Sequence, residues 1–379
     1  MRRVALRWVG FLSWCALLVF PPVARAQSSE LERLLELLVK KNLVTQEEAD
    51  SLREEVGRDR VSQQAQALIE EQAQAGQSKE QSVTASRKVR LSGWAQTRFT
   101  STGGTKNTIE LRRARLAVGG NLTDSISYRV QADFVRSPVL LDAHMDFTRL
   151  QFARLRVGQF KVPFSQENLV SSKDLLTVER ALPVLNLAPG RDTGNNGRDI
   201  GLQVDGSIVR GDGRPLFDYT VGLFNGAGIN RRDDNHRKDA AVRVVAHLAR
   251  GLWIGGEYYT GATGVSQTEK ERAAAEFFFH RASLTAQGEY IWGHDGGTHK
   301  RGSYTMVAYR FRPRWEGVFR FEELEPDKVA TGDDTRAYLI GVNWYLNDWV
   351  KFQLNYSAND EAARQRLNHT LLTLFQFQF

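Results

Sequence analysis

The sequence predicts an all-β chain, a sixteen-stranded antiparallel transmembrane β-barrel preceded by a short N-terminal α-helical, coiled-coil-like segment. Three observations predict it. Residues 370–379 read TLLTLFQFQF, an alternating amphipathic strand that ends on an aromatic with a free carboxylate. Sixteen segments of about ten residues between 89 and 379 alternate with period two and are rich in aromatic and β-branched residues. The connections between them sort by length according to parity, with short turns at one end and long loops at the other.

The first element in the chain is an export signal, expected at residues 1–26. A charged start (Arg2, Arg3, Arg7) precedes an apolar run from Val9 and a small-residue site at Ala24-Arg25-Ala26. The run is too short and wrongly flanked to span a bilayer as a helix, and no later segment holds the roughly 18 uninterrupted apolar residues that such a helix needs. Cleavage before Gln27 removes the only cysteine, Cys15, and with it disulfides and Cys-ligated metals. It also removes four arginines and no acid, so the formal charge falls from +7 to +3. So small an excess, spread along the chain, argues against a nucleic-acid partner.

Residues 27–61 form an amphipathic helical segment. Leu31, Leu34, Leu35 and Leu38 follow helical spacing, and Thr45 with Glu48 makes a capping box that opens a second helix carrying Leu52 and Val56. Neither helix is long enough to bury its leucines alone. Two readings stand: self-association as a small coiled coil, or a pair packed on itself or on a barrel mouth. Residues 62–88, rich in Gln, Ala and Ser, read as a helical or disordered linker.

The barrel occupies residues 89–379. Its strands are expected at 89–100, 107–119, 126–135, 140–147, 153–162, 199–209, 217–224, 239–248, 252–259, 273–279, 282–292, 302–311, 315–323, 335–345, 349–357 and 369–379. Residues 121–125, 148–152, 250–251, 280–281, 312–314 and 346–348 are the short turns, and 165–198, 225–238, 260–272, 293–301, 324–334 and 358–368 the long loops. Bacterial outer-membrane barrels place turns in the periplasm and loops outside, so this is the expected location. Twelve aromatics near strand ends, among them Trp94, Phe134, Phe224, Tyr258, Tyr259, Trp292 and Trp315, mark interfacial girdles.

Alternation separates two faces. Arg113 and Arg115 oppose Ala114, Leu116 and Val118; Arg129, Gln131 and Asp133 oppose Tyr128, Val130, Ala132 and Phe134; Asp142, His144 and Asp146 oppose Ala143, Met145 and Phe147; Arg154 and Arg156 oppose Leu155 and Val157. Arg243, Arg320 and Lys351 lie among apolar neighbours in the same way. A charge facing lipid at mid-bilayer costs about 2 to 4 kcal/mol, so these charges line a wet lumen. Cationic rings favour anions in a pore, whereas arginines paired with Asp133, Asp142, Asp146 and Glu316 would brace the wall. A β-bulge near Leu111 would shift the phase.

Residues 165–198 are too many for a plain hairpin and predict a loop folded into the lumen. Lys173, Arg180, Arg191 and Arg198 balance Glu167, Asp174, Glu179 and Asp192. Lysine and arginine suit phosphate as donors, arginine in bidentate fashion. No cofactor or metal site is expected: His294, Asp295 and His299 read as a solvated loop, Asp233, Asp234 and Asn235 lack the other positions of a calcium loop, and outer-loop acids suit lipopolysaccharide through divalent cations. No nucleophile elbow or phosphate-cradling glycine loop appears, so an enzyme is not expected.

The segments LRRARL (111–116), LDAHMD (141–146), LRVGQFKVPF (155–164), ERALPVLNLAPGRDTG (179–194) and VGLFNGAG (221–228) resemble the phosphate-selective porin family of O and P type, over residues 91–379. The resemblance implies a sixteen-stranded barrel, usually trimeric, that passes anions through a pore lined by an arginine ladder and narrowed by its third loop. It carries Arg113, Arg115, Lys161 and Arg191 into that pathway. With the lumen face and the loop, the expected anion pathway is Arg113, Arg115, Arg129, Arg154, Arg156, Lys161, Lys173, Arg180, Arg191, Arg243, Arg320 and Lys351. The expected partners are small inorganic anions, phosphate or similar, with outer-membrane lipid, lipopolysaccharide and two further copies of the chain. The alternative function is an assembly barrel whose helical segment binds an envelope partner.

Overall fold

A computed structural model describes residues 83–86, 89–103, 107–135, 139–150, 152–210, 213–330, 332–361 and 366–379. The expected signal, the helical segment and residues 62–82 of the linker lie outside them. The strands are β1 (Val83–Ser86), β2 (Val89–Thr102), β3 (Thr108–Thr123), β4 (Ile126–Asp133), β5 (Val139–Leu150), β6 (Ala153–Lys161), β7 (Arg198–Val209), β8 (Pro215–Phe224), β9 (Asp239–Ala249), β10 (Leu252–Thr263), β11 (Thr268–Arg281), β12 (Leu284–Asp295), β13 (Thr298–Arg312), β14 (Trp315–Glu325), β15 (Thr335–Tyr345), β16 (Val350–Glu361) and β17 (Arg366–Gln378). Each of β2 to β17 pairs antiparallel with its sequence neighbours, and β17 pairs with β2, closing a sixteen-stranded barrel. Closure satisfies every ladder that an open edge would leave bare in lipid. β1 is an addition to the expected set: within the stretch read as linker, it pairs with the start of β2 at Val83↔Leu91 and Thr84↔Arg90.

The seam follows from the closing sequence. Phe377 opposes Ala95 and Gln376 opposes Gln96, and the Phe379 and Gly93 backbones exchange hydrogen bonds of 2.9 and 3.0 Å. A side chain on Gly93 would collide with the Phe379 ring at 2.7 Å, so glycine is required there.

Burial is inverted relative to a water-soluble domain. Val130, Met145, Val157, Ile254, Ile340, Phe375 and Phe377 are exposed on the outer face, while Gln131, Asp146, Arg156, Glu257, Arg320 and Gln376 are buried on the inner one. Alternation does this: residues two apart share a face, and the apolar set meets lipid. Three aromatics expected in the girdles, Trp94, Phe224 and Tyr259, are instead buried. Trp94 shares the parity of Ser92 and Gln96, which sets it on the lumen side, where its ring lies against Arg115. Trp292, Trp315, Trp344 and Trp349 are exposed as girdle residues should be.

Some long loops shorten because the strands outrun them. The β10–β11 ladder runs to Thr263↔Thr268 and the β12–β13 ladder to Asp295↔Thr298, each ending in a tight turn. The expected bulge is present: Gln96 opposes Arg113 while Thr97 opposes Leu111, leaving Arg112 as the extra residue.

Candidate functional site

Between β6 and β7 the chain turns inward as a loop carrying α1 (Gln166–Leu169) and α2 (Leu182–Leu187). Val162, Phe164, Val184 and Leu187 of this loop pack with the inward-facing Ile291, Tyr304, Met306, Val318 and Leu324 of β12 to β14 in one buried apolar cluster. These wall positions would be wasted in a purely aqueous lumen. They are the docking face for α2, whose Pro183 lies so close to Gly302 that a Cβ there would sit 2.9 Å away.

Hydrogen bonds carry the loop round the wall in two modes. At its start, wall carboxylates accept from loop amides: Ser165 N donates to Glu257, Gln166 N to Glu276 and Glu167 N to Glu289. Further on, wall cations and amides donate to loop carbonyls. Lys351 reaches Lys173 O and Leu175 O, Gln353 reaches Leu175 O, Asn343 reaches Leu176 O, Gln376 reaches Lys173 O and Gln96 reaches Ser172 O, all at 2.8 to 3.2 Å. The Arg320 guanidinium donates to Thr177 Oγ1 and Glu179 O. The loop therefore covers the inner face from β10 through β17 to β2, and the opposite side stays open.

That open side holds a cavity of about 170 Å³ walled by β3 to β9. Seven of its lining residues are cationic: Arg115, Arg129, Arg154, Arg156, Lys161, Arg198 and Arg243; three are acidic: Asp142, Asp205 and Asp218. Pairing is extensive. Arg115 meets Asp133 at 2.8 Å, Arg154 meets Asp205 at 2.9 Å, Arg156 meets Asp146 at 2.6 Å, Arg198 meets Asp142 at 2.7 Å, and Arg243 bridges Glu257 and Glu276. Bracing thus accounts for most wall arginines. Arg115, Arg156 and Arg243 also lie 5.5 to 5.7 Å over the rings of Trp94, Phe160 and Trp253, which holds their planes fixed.

Glu179 is the anionic hub of the loop. Arg98, Arg112 and Arg113 all donate to it. Burial would raise this carboxyl, but the charges of Arg113, Arg112 and Arg98 outweigh burial and hold it down at about 2. Arg112 joins because the bulge puts two consecutive side chains on the lumen side.

Three cations on the loop or at its root are differently placed. Lys161 donates to Leu169 O and Val170 O, Arg180 to Glu167 O and Val170 O, and Arg191 to Asn168 Oδ1. No carboxylate among the described residues lies within ion-pair distance of any of the three. Burial, and then the neighbouring charges of Arg180, Arg198, Arg115 and Arg113, push the Arg191 guanidinium well below its ordinary value. Arginine keeps its proton in proteins, so this crowded positive charge is available to an incoming anion. Gly197 at φ +72° makes room for Asn168, the residue that holds Arg191; a Cβ there would overlap the Asn168 amide at 2.0 Å.

The twelve expected residues therefore divide. Arg115, Arg129, Arg154, Arg156, Lys161 and Arg243 line the open cavity. Arg113 binds Glu179 and Gln96. Arg320 and Lys351 hold the loop, Lys173 pairs with Asp174, and Arg180 and Arg191 bond within the loop. Sequence reasoning left out Arg98 and Arg112, and it counted Arg198 only in the charge balance of the loop. Arg112 could have been found from the phase break at Leu111. It also left out Lys270 and Arg272, which fix Asp192 of the loop at 2.5 and 3.5 Å.

Three solved structures with the same architecture are distant in sequence. An anion-selective porin from Comamonas acidovorans superposes with a TM-score of 0.60 at 13% identity, covering 77% of this chain and 99% of that one. OmpF of Salmonella typhi, in complex with daunomycin, gives 0.60 at 12%, covering 79% and 100%. OmpT of Vibrio cholerae in its trimer form gives 0.52 at 12%, covering 77% and 99%. No curated protein sequence matches the chain significantly. The model of one family, phosphate-selective porin O and P, matches residues 93–252 and 253–379. With a closed sixteen-stranded barrel, an inward-folded loop and a family match over most of its length, the chain belongs to the phosphate-selective porin O and P family and is an outer-membrane porin.

Proposed function

We propose that the pore prefers anions and that phosphate or a similar oxyanion is its solute. The observation that carries this reading is the trio Lys161, Arg180 and Arg191, three cations with carbonyl or amide partners but no carboxylate within ion-pair distance among the described residues. Paired arginines present little net field, whereas these three add positive potential where the loop meets the wall. A tetrahedral oxyanion matches guanidinium and ammonium donors. The expected pathway residues act in two ways: those on the open side draw the anion along, and those under the loop set the aperture. The chain works as a channel and not as an enzyme.

In this reading residues 1–26 are the export signal, 27–61 the periplasmic helical segment and 62–88 its linker to the barrel. The pore assembles as a homotrimer among outer-membrane lipid and lipopolysaccharide, in keeping with the trimeric relative among the solved structures. Planar-bilayer recording across a salt gradient tests it. A reversal potential on the anion side, with chloride current reduced by added phosphate, is expected; cation preference or no conductance overturns the reading.

A further inference from the structure

We propose that the inward loop is an electrostatic mask as well as a constriction: its start covers a row of wall glutamates that would otherwise draw cations into the lumen. Glu257, Glu276 and Glu289 lie on three adjacent strands, β10, β11 and β12, with carboxylate oxygens within 4.8 Å of one another. All three are buried. One guanidinium, Arg243, serves two of them, at 2.9 Å to Glu257 and 2.5 Å to Glu276. Acids therefore exceed bases in this patch, and an exposed acidic arc selects for cations.

The loop meets this arc with consecutive backbone amides. Ser165 N donates to Glu257 Oε2 at 2.6 Å, Gln166 N to Glu276 Oε2 at 3.0 Å and Glu167 N to Glu289 Oε1 at 2.9 Å, one amide for each strand. Register makes this possible, because neighbouring strands present these glutamates side by side on the lumen face: Glu257 stands two positions from Gly255, the partner of Glu276 in the β10–β11 ladder, and Glu276 directly opposes Glu289. Amides at the start of a helix carry no intrahelical bonds and are free to donate. The Gln166 side chain clamps the same place, donating to Phe277 O and Gly288 O. Ser165 is held at φ +66°, a conformation that persists only where its surroundings over-determine it.

The glutamates thus act as positioning residues for the aperture, and the loop silences their charge. The open side, walled by β3 to β9 and rich in arginine, then dominates the charge that a solute meets among the described residues. The inference rests on the proposed anion preference for its sign, although loop docking by the glutamates does not depend on it.

Gln166→Pro is the sharpest test. Proline is tolerated at the first position of a helix but deletes the amide that Glu276 accepts. Compared with wild type in planar bilayers, Q166P is expected to raise unit conductance and lower the anion-to-cation permeability ratio, by about twofold or more. Adding E257Q/E276Q/E289Q to Q166P should restore the ratio while conductance stays raised. Unchanged conductance and ratio in Q166P, or a shift that persists in the glutamine background, would overturn the mask. A cation-selective wild type would sink the proposed anion preference alone, since the mask is read from the difference between variants. Hydrogen exchange on the wild-type barrel gives a second, variant-free readout: the amides of residues 165–167 should exchange far more slowly than those of residues 229–236, and equal rates refute the docking.

Discussion

The Arg113 guanidinium meets the Glu179 carboxylate at 3.1 Å across the gap between barrel wall and inward loop, and Arg98 and Arg112 meet the same carboxylate at 2.6 Å each. One acid thus neutralises part of a three-arginine group. Replacing it by Glu179→Gln keeps the shape and removes the charge. We expect the anion-to-cation permeability ratio to rise, about twofold, because three guanidiniums lose their shared counter-charge. Reversal potentials of E179Q and wild type check this; a fall in the ratio would show that the three arginines do not face the permeating ion.

The same carboxylate gives the loop a pH dependence whose sign is fixed. Its folded value, about 2, lies below the unfolded value. The stability it contributes is therefore fully present above about pH 4.3 and is lost as pH falls toward 2, with a ceiling of about 3 kcal/mol shared among the three arginines. Protease cleavage within residues 162–197 should accelerate through this window in wild type. In E179Q the acceleration that this group causes should vanish.

Arg191→Gln and Arg180→Gln probe the cations that lack a carboxylate. Each should weaken the block of chloride current by phosphate, by about threefold, with a smaller loss of thermal stability than a substitution that breaks an ion pair to a buried acid. Arg320→Gln, by contrast, leaves Glu322 without its 3.2 Å partner and should lower stability as well. Phosphate titrations and melting curves on the three variants separate pathway from support. Equal stability losses in all three would contradict the division.

Gly302→Val should push α2 off the wall. Its Cβ would stand 2.8 Å from Glu323 O and 2.9 Å from the Pro183 ring, and overpacking of this kind costs about 1 to 3 kcal/mol. The contact with Glu323 O presses on the β13–β14 ladder at one point and the other ladders do not meet the new side chain, so heat-resistant migration in gels should survive while open-channel current noise increases. Loss of the barrel itself would place Gly302 in the wall's own stability instead.

How legible was this in the sequence? The sixteen strands and their faces were, because a two-residue period combined with a lipid exterior leaves one arrangement of inside and outside. The bulge at Arg112 was visible as a phase break at Leu111, although not the second guanidinium that it delivers. Strand ends were less legible: Thr263↔Thr268 and Asp295↔Thr298 lie in polar sequence with no apolar alternation to mark them. Trp94, Phe224 and Tyr259 show why placement near a strand end is a weak signal, since parity decides the face. The side of the wall that the loop occupies was the least legible part. Its mark, apolar Ile291, Met306, Val318 and Leu324 at lumen parity, becomes readable only once the register of β12 to β14 is known.

Among the loop's anchors, two bear on how the barrel is made. Gln376 on β17 and Gln96 on β2 bond to each other at 2.6 Å across the seam, and each also donates to the loop, at Lys173 O and Ser172 O. The first and last strands of the barrel are thus strapped together from inside by a segment from its middle. Full docking of that segment needs both strands in place, so the narrow passage is finished only when the cylinder is shut. A half-assembled barrel would lack its gate, and the last bonds to form would be those that join closure to selectivity.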